Sequence, residues 1–152
     1  MIKDDIYFMK EALKEAKKAK ALDEVPIGCV IVLDGKIIAR SHNLRETKKS
    51  SISHAEILAI IKANKKVDNW RLNDACMYVT LEPCPMCAGA IFQSRIGRVV
   101  YGATDEKYGS FGGVFNLFDI KTLNHKPIII GGVLAKESKE LLQDFFKQKR
   151  TK

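Results

Sequence analysis

Two short stretches, Ser53-His54-Ala55-Glu56-Ile57 and Tyr78-Val79-Thr80-Leu81-Glu82-Pro83-Cys84-Pro85-Met86-Cys87, decide how this chain reads. The first carries an imidazole and, two residues on, a carboxylate. The second runs from an apolar, β-type segment into Pro-Cys-x-x-Cys. His54, Cys84 and Cys87 together offer one nitrogen and two sulfur donors, the borderline-to-soft set that zinc prefers. A structural zinc is normally closed by four protein ligands, whereas a catalytic one keeps a place for water. Glu56 is then a carboxylate of the right type to take a proton from that water and deliver it elsewhere. These residues point to a hydrolytic zinc enzyme with one zinc per chain.

Local geometry agrees. On a regular helix, positions i and i+2 lie on different flanks, so His54 and Glu56 can share a site only where a helix begins. Ser53-His54 opens an apolar-rich stretch, Ile57 to Ala63, that suits such a beginning. Pro85 fits the first position of a second helix, which brings Cys84 and Cys87 together around its first turn. Two helix N-termini aimed at one point are expected to lower both thiol pKa values and favour thiolates. A lone C-x-x-C also fits a redox pair or half of a zinc ribbon. A ribbon needs a second C-x-x-C, and the remaining cysteines, Cys29 and Cys76, sit far apart in apolar runs as small buried hydrophobes. A redox pair leaves His-x-Glu without a purpose.

Working outward, hydrophobic spacing predicts a helix over about Asp4–Lys20, with Ile6, Met9, Leu13 and Ala16 on one side. Strands follow over Ile27–Leu33 and Lys36–Arg40, joined by Asp34-Gly35, a strong two-residue hairpin signal. The His54 helix comes next, then a buried strand Cys76–Leu81, the Pro-Cys helix and a strand Arg98–Tyr101. Gly102–Asn116, with four glycines and three Phe or Tyr residues, reads as a site-forming loop. Ile128–Gly131 is a last strand and Glu137–Lys149 a closing helix whose apolar side holds Leu141, Leu142, Phe145 and Phe146. This order places helices on both faces of a mixed sheet of about five strands, an α/β architecture.

At 152 residues and 46% hydrophobic content, the chain is expected to be a single domain over 1–152. No apolar run approaches the roughly 18 residues that span a membrane, and Met1-Ile2-Lys3-Asp4-Asp5 lacks the order of a secretory signal. Thiol ligands fit a reducing compartment, so the expected location is cytoplasmic. The formal charge of +8 suits a polyanionic partner, although the excess consists largely of lysine, which also serves as ordinary solvated surface.

The H-A-E and P-C-x-x-C pair resembles the signature of the zinc-dependent cytidine/deoxycytidylate deaminase superfamily. Further runs, Glu24-Val25-Pro26-Ile27-Gly28, Cys87-Ala88-Gly89-Ala90, Ser94-Arg95-Ile96-Gly97-Arg98-Val99-Val100-Tyr101-Gly102-Ala103, Leu123-Asn124-His125 and Asp144-Phe145-Phe146-Lys147, are similar to its bacterial tRNA-specific adenosine deaminase branch. The resemblance implies a three-layer α/β/α cytidine deaminase-like fold with a mixed five-stranded sheet. It also implies hydrolysis of adenine to hypoxanthine within a tRNA anticodon stem-loop, at the wobble position, and a homodimer that packs through the small residues Ala88, Gly89 and Ala90. Glu56 would move a water proton to a ring nitrogen and on to the leaving amine. Asn43, by composition a turn residue, takes from the resemblance a contact with the target base. Further RNA contacts are expected among Arg45, Lys107, Tyr108, Phe145, Phe146, Lys147, Lys149 and Arg150, with one phenylalanine packed inward and the other stacked on a base. Ile27 is expected to wall the pocket, and Glu82 fits either a structural or a catalytic carboxylate. The alternatives are a deaminase of free guanine or cytosine and a non-catalytic zinc-stabilised RNA-binding module; the second gives Glu56 nothing to do.

Overall fold

The structure, a computed structural model, describes residues 3–150. Met1, Ile2, Thr151 and Lys152, the ends of the expected domain and of the signal-sequence reading, lie outside the described residues. Ten elements follow in order: α1 (Lys3–Ala21), β1 (Gly28–Leu33), β2 (Lys36–His42), α2 (Ala55–Val67), β3 (Cys76–Leu81), α3 (Pro85–Ser94), β4 (Arg98–Ala103), a 3-10 turn (Leu117–Asp119), β5 (Ile128–Ile130) and α4 (Ala135–Arg150). The strands form one sheet in the order β2-β1-β3-β4-β5. β1 is antiparallel to both β2 and β3, while β3, β4 and β5 run parallel. The expected mixed five-stranded α/β sheet with helices on both faces is what forms.

Alternation along the strands sorts the two faces, because successive side chains point opposite ways. Cys29, Ile31, Met77, Val79, Val99 and Tyr101 face α2 and α3, meeting Ala55, Ala59, Ala63, Ala88 and Ile91. Val30, Val32, Tyr78 and Val100 face the other way and meet Phe8, Met9 and Ala12 of α1. Small residues on the helices let their backbones lie close to the sheet. Asp34 and Gly35 close the β1–β2 hairpin with φ of 51° and 76°, the positive pair that a type I′ turn demands.

A buried ionic group fastens α1 across the sheet. Arg98 donates to both oxygens of Asp5, at 2.8 and 2.7 Å, and the Tyr78 hydroxyl donates to Asp5 Oδ1 at 2.7 Å. Cys76, expected to be a buried hydrophobe, is only half-buried, and its Sγ accepts from Arg98 at 3.5 Å. Its place in the first register of β3, opposite Arg98 of β4, brings it to the rim of this ionic group.

Strand boundaries differ from the pattern at their ends. β2 continues to His42 and β4 to Ala103, two residues beyond the apolar alternation in each case. Backbone pairing extends those strands after their hydrophobic pattern has stopped. The extension matters for function: Leu81 and Ala103 are register partners at the ends of β3 and β4, and both line the main cavity.

Candidate active site

His54 is the N-cap of α2 and Cys84 the N-cap of α3, with Pro85 at the start of α3. Both helices therefore begin at one place, beside the C-terminal end of β3. His54 Nδ1 lies 3.7 Å from Cys84 Sγ and 3.6 Å from Cys87 Sγ. The three donor atoms lie within 4.8 Å of one another, and among the described residues this is the cluster that could hold a metal ion.

The thiols do not behave alike. Cys84 is held down to about 4, chiefly by the hydrogen bond it receives from Cys87. Cys87 is pushed far up by that same partner and by burial. Like charges side by side in a buried site oppose one another, so lowering both thiols requires a cation between them. A metal ion bound there would displace the thiol protons.

Glu56 is 4% exposed and sits in the first turn of α2. Burial is the main cause that raises its carboxyl to about 7, with the charge of Cys84 adding to it. A carboxyl poised near neutrality both accepts and returns protons at working pH.

His54, Glu56 and Cys84 line a cavity of about 910 Å³, with Cys87 buried behind them. Asn43, Ile27 and Val25 wall one side; Thr104, Lys107 and Tyr108 wall another; Lys136, Lys139, Leu142 and Phe146 of α4 supply a third. Asn43 is 6% exposed. Its Nδ2 donates to the Val25 carbonyl at 3.3 Å and its Oδ1 accepts from Arg45 N–H at 3.1 Å. One N–H and one lone pair of the amide stay available to a ligand, so Asn43 is held as a turn residue and faces the cavity as well.

Two buried carboxylates hold the loops at the cavity mouth. Glu82 accepts from Asp105 N–H at 3.0 Å, Phe111 N–H at 2.8 Å and Gly113 N–H at 2.9 Å. A Cβ at Gly109 or Gly113 would fall against Glu82 Oε1 and the Asp105 carbonyl, which explains the glycines of this loop. Glu82 therefore organises the segment that carries Lys107 and Tyr108. Across the cavity, Glu24 accepts from Glu46 N–H at 3.1 Å and Thr47 N–H at 2.6 Å, fixing the loop that carries Arg45. Burial works to raise the Glu24 carboxyl, and the bonds from Thr47 and Glu46 outweigh it, leaving it below the usual carboxylate range.

The expected RNA contacts divide. Arg45, Lys107, Tyr108 and Phe146 line the cavity, and Phe146 is 44% exposed. Phe145 is 6% exposed and packs inward, which corrects its place among ligand contacts. Lys147 and Arg150 are exposed in the last turn of α4, outside the cavity wall. Lys149 is drawn to Asp23 at 2.5 Å, tying the end of α4 to the end of α1. Sequence reading missed Lys136, Lys139 and Leu142; their spacing with Phe146, three to four residues at each step, was the available signal.

With this geometry in place, comparison with known proteins is direct. Residues 2–150 match the model of the MafB19-like deaminase family. The tRNA-specific adenosine deaminase of Bacillus subtilis (strain 168) is 53% identical over 152 residues, 100% of this chain and 94% of that protein. The tRNA-specific adenosine deaminase of Haemophilus influenzae is 45% identical, over 96% of this chain and 85% of that protein. A solved structure from studies of A-to-I editing by tRNA:A34 deaminases superposes with a TM-score of 0.87 at 46% identity, covering 90% of this chain and 99% of that one. Guanine deaminase from Bacillus subtilis gives 0.65 at 33% identity, covering 97% and 95%. The chain belongs to the MafB19-like deaminase family and, within it, to the tRNA-specific adenosine deaminases.

Proposed function

We propose that this chain hydrolyses adenosine to inosine at the wobble position of a tRNA anticodon, releasing ammonia, with one zinc ion per chain held by His54, Cys84 and Cys87. The observation that carries the reading is the Glu56 carboxyl, buried beside the His-Cys-Cys cluster at the base of a cavity large enough for a nucleotide and its neighbours. Zinc is supported by donor type and spacing. Ligands at about 2.0–2.3 Å around a tetrahedral zinc stand roughly 3.5 Å apart, and the two Sγ–Nδ1 separations are 3.6 and 3.7 Å. When bound there, zinc supplies a water acidic enough to serve as the nucleophile near neutral pH.

The protein's own groups do the rest. Glu56 takes one proton from the attacking water and gives it to a ring nitrogen, which makes C6 electrophilic. It then takes the remaining proton from the hydroxyl now on C6 and passes it to the amino group as the C6–N bond breaks and the C6 carbonyl forms, so water is consumed and ammonia leaves. Asn43 turns its remaining donor and acceptor to the purine edge. Ile27 and Val25 keep that side of the base dry, and Phe146 offers a ring on which an unstacked base can lie. An anticodon loop presents the target already unpaired, which lowers the cost of reaching the buried carboxyl.

Lys147 and Arg150 belong to the proposal only as contacts beyond the cavity, and Phe145 leaves it. The remaining proposals are a single domain over 1–152, a homodimer through the region of α3 around Gly89 and Ala90, Ala88 itself being buried against the sheet, and a cytoplasmic location. Among the described residues, no helix is long and apolar enough to cross a membrane.

The test is incubation of the zinc-loaded protein with an anticodon stem-loop carrying adenosine at the wobble position, followed by nucleoside analysis. Inosine at that position is the expected product. Efficient turnover of free guanine, adenine or cytosine without turnover of the stem-loop would overturn the RNA reading and leave a small-molecule deaminase.

A further inference from the structure

We propose that Lys136 and Lys139, at the start of α4, hold the phosphate backbone beside the target nucleotide and so position it over Glu56. The inference rests on the RNA reading given above and adds the residues that grip the strand.

The charges of α4 are divided between its flanks. Lys136 and Lys139 line the cavity that contains Glu56 and Asn43. Glu137, Glu140 and Asp144 instead line a second groove of about 520 Å³, where they face Lys10, Lys14 and Lys17 of α1. The acidic side chains thus share a groove with lysines of α1, while Lys136 and Lys139 line the active-site cavity, with Lys136 beside Glu140 at the border between the two.

Position agrees with charge. Three residues along a helix rise about 4.5 Å, so the two ammonium groups can meet one phosphate or two adjoining ones. Lys136 makes only a 4.0 Å exposed pair with Glu140, a pairing of little strength, and Lys139 is exposed. Further along the same side come Leu142 and then Phe146. The helix therefore presents, from its start, two cations, an apolar step and an aromatic plane. That is the alternation of backbone grip and base stacking that single-stranded RNA calls for. The carboxylates near the mouth do not cancel it: Glu82 and the Asp105 side chain are committed to loop N–H groups, and Glu106 shares the cavity lining with four cations, Arg45, Lys107, Lys136 and Lys139.

The experiment compares the zinc-loaded parent with K136Q/K139Q, K136R/K139R and a charge-matched control, K65Q/K66Q, in the last turn of α2. Each is assayed on the wobble-adenosine stem-loop across a salt series. Backbone grip holds ground and transition states alike, so the first variant should raise KM roughly tenfold at low salt with kcat unchanged. Its log–log salt slope should fall by about 0.7 for each phosphate that is no longer neutralised. The arginine variant should restore KM, and the control should match the parent. A K136Q/K139Q protein with the parental KM and salt slope would overturn the inference while RNA turnover by the parent keeps the function standing. So would a fall in kcat or in zinc content with KM unchanged, since that marks a structural role. If the parent itself makes no inosine, the underlying function fails instead.

Discussion

Replacing Glu82 by glutamine tests how the site is assembled, because the change keeps the shape of the side chain while exchanging one acceptor for a donor and removing the charge. Oε1 receives Asp105 N–H, and Oε2 receives both Phe111 N–H and Gly113 N–H, in surroundings where Glu82 is 2% exposed. Glutamine will turn its single oxygen to the two donors, leaving its amide nitrogen against Asp105 N–H. One buried N–H is then unsatisfied, costing about 1–3 kcal/mol. The other two bonds lose the help of a charge, about 0.5–1 kcal/mol each, since charged bonds are roughly twice as strong as neutral ones. The sum is about 2–5 kcal/mol, a large part of a typical domain's total of roughly 5–15. Urea unfolding of the metal-loaded protein should show this as a lower midpoint with an unchanged slope. The loop carrying Lys107 and Tyr108 should loosen with it, raising KM for the stem-loop more than it lowers kcat. A stability within about 0.5 kcal/mol of the parent, the ordinary range for a change at the surface, would refute the assignment of Glu82 as the clasp of this loop.

Glu56→Gln should retain zinc and RNA binding yet lose about 10²–10⁴ in kcat, checked by metal analysis beside single-turnover assays. Cys84→Ser or Cys87→Ser, and separately a strong chelator, should strip the metal and lower the melting temperature, because metal binding is coupled to folding. Phe145→Ala should cost about 3–5 kcal/mol of stability while Phe146→Ala leaves stability close to parental and raises KM; thermal melts and kinetics on the same preparations separate the two. Glu24 is a depressed acid, so its contribution is complete above the unfolded carboxylate pKa of about 4.3 and is lost as pH falls through its lower folded value. Protection factors at Glu46 and Thr47, corrected for the intrinsic pH dependence of amide exchange, should accordingly fall on acidification in the parent, and in Glu24→Gln they should already be low at neutral pH.

The elements that the sequence states by itself are those whose cause is local. Asp34-Gly35 can close a hairpin because its two residues accept positive φ, and Pro85 starts α3 because its missing N–H has no partner to lose at that position. The gathering of His54 with Cys84 and Cys87 was legible for a related reason: each donor sits at a helix start that its own neighbours specify, and their chemistry suits a metal ion. Glu82 and Glu24 were not legible as loop clasps. Their partners are backbone N–H groups 22 to 31 residues downstream, and a backbone donor leaves no mark on composition. Phe145 and Phe146 could not be ranked either. Adjacent residues on a helix differ by about 100°, so which ring is buried depends on how α4 is rotated against the sheet. That same rotation turns Lys136 and Lys139 to the active site and Glu137, Glu140 and Asp144 to α1. Short-range stereochemistry and metal-donor chemistry are written in the chain; the facing of a helix and the reach of a buried carboxylate arise only when distant elements pack.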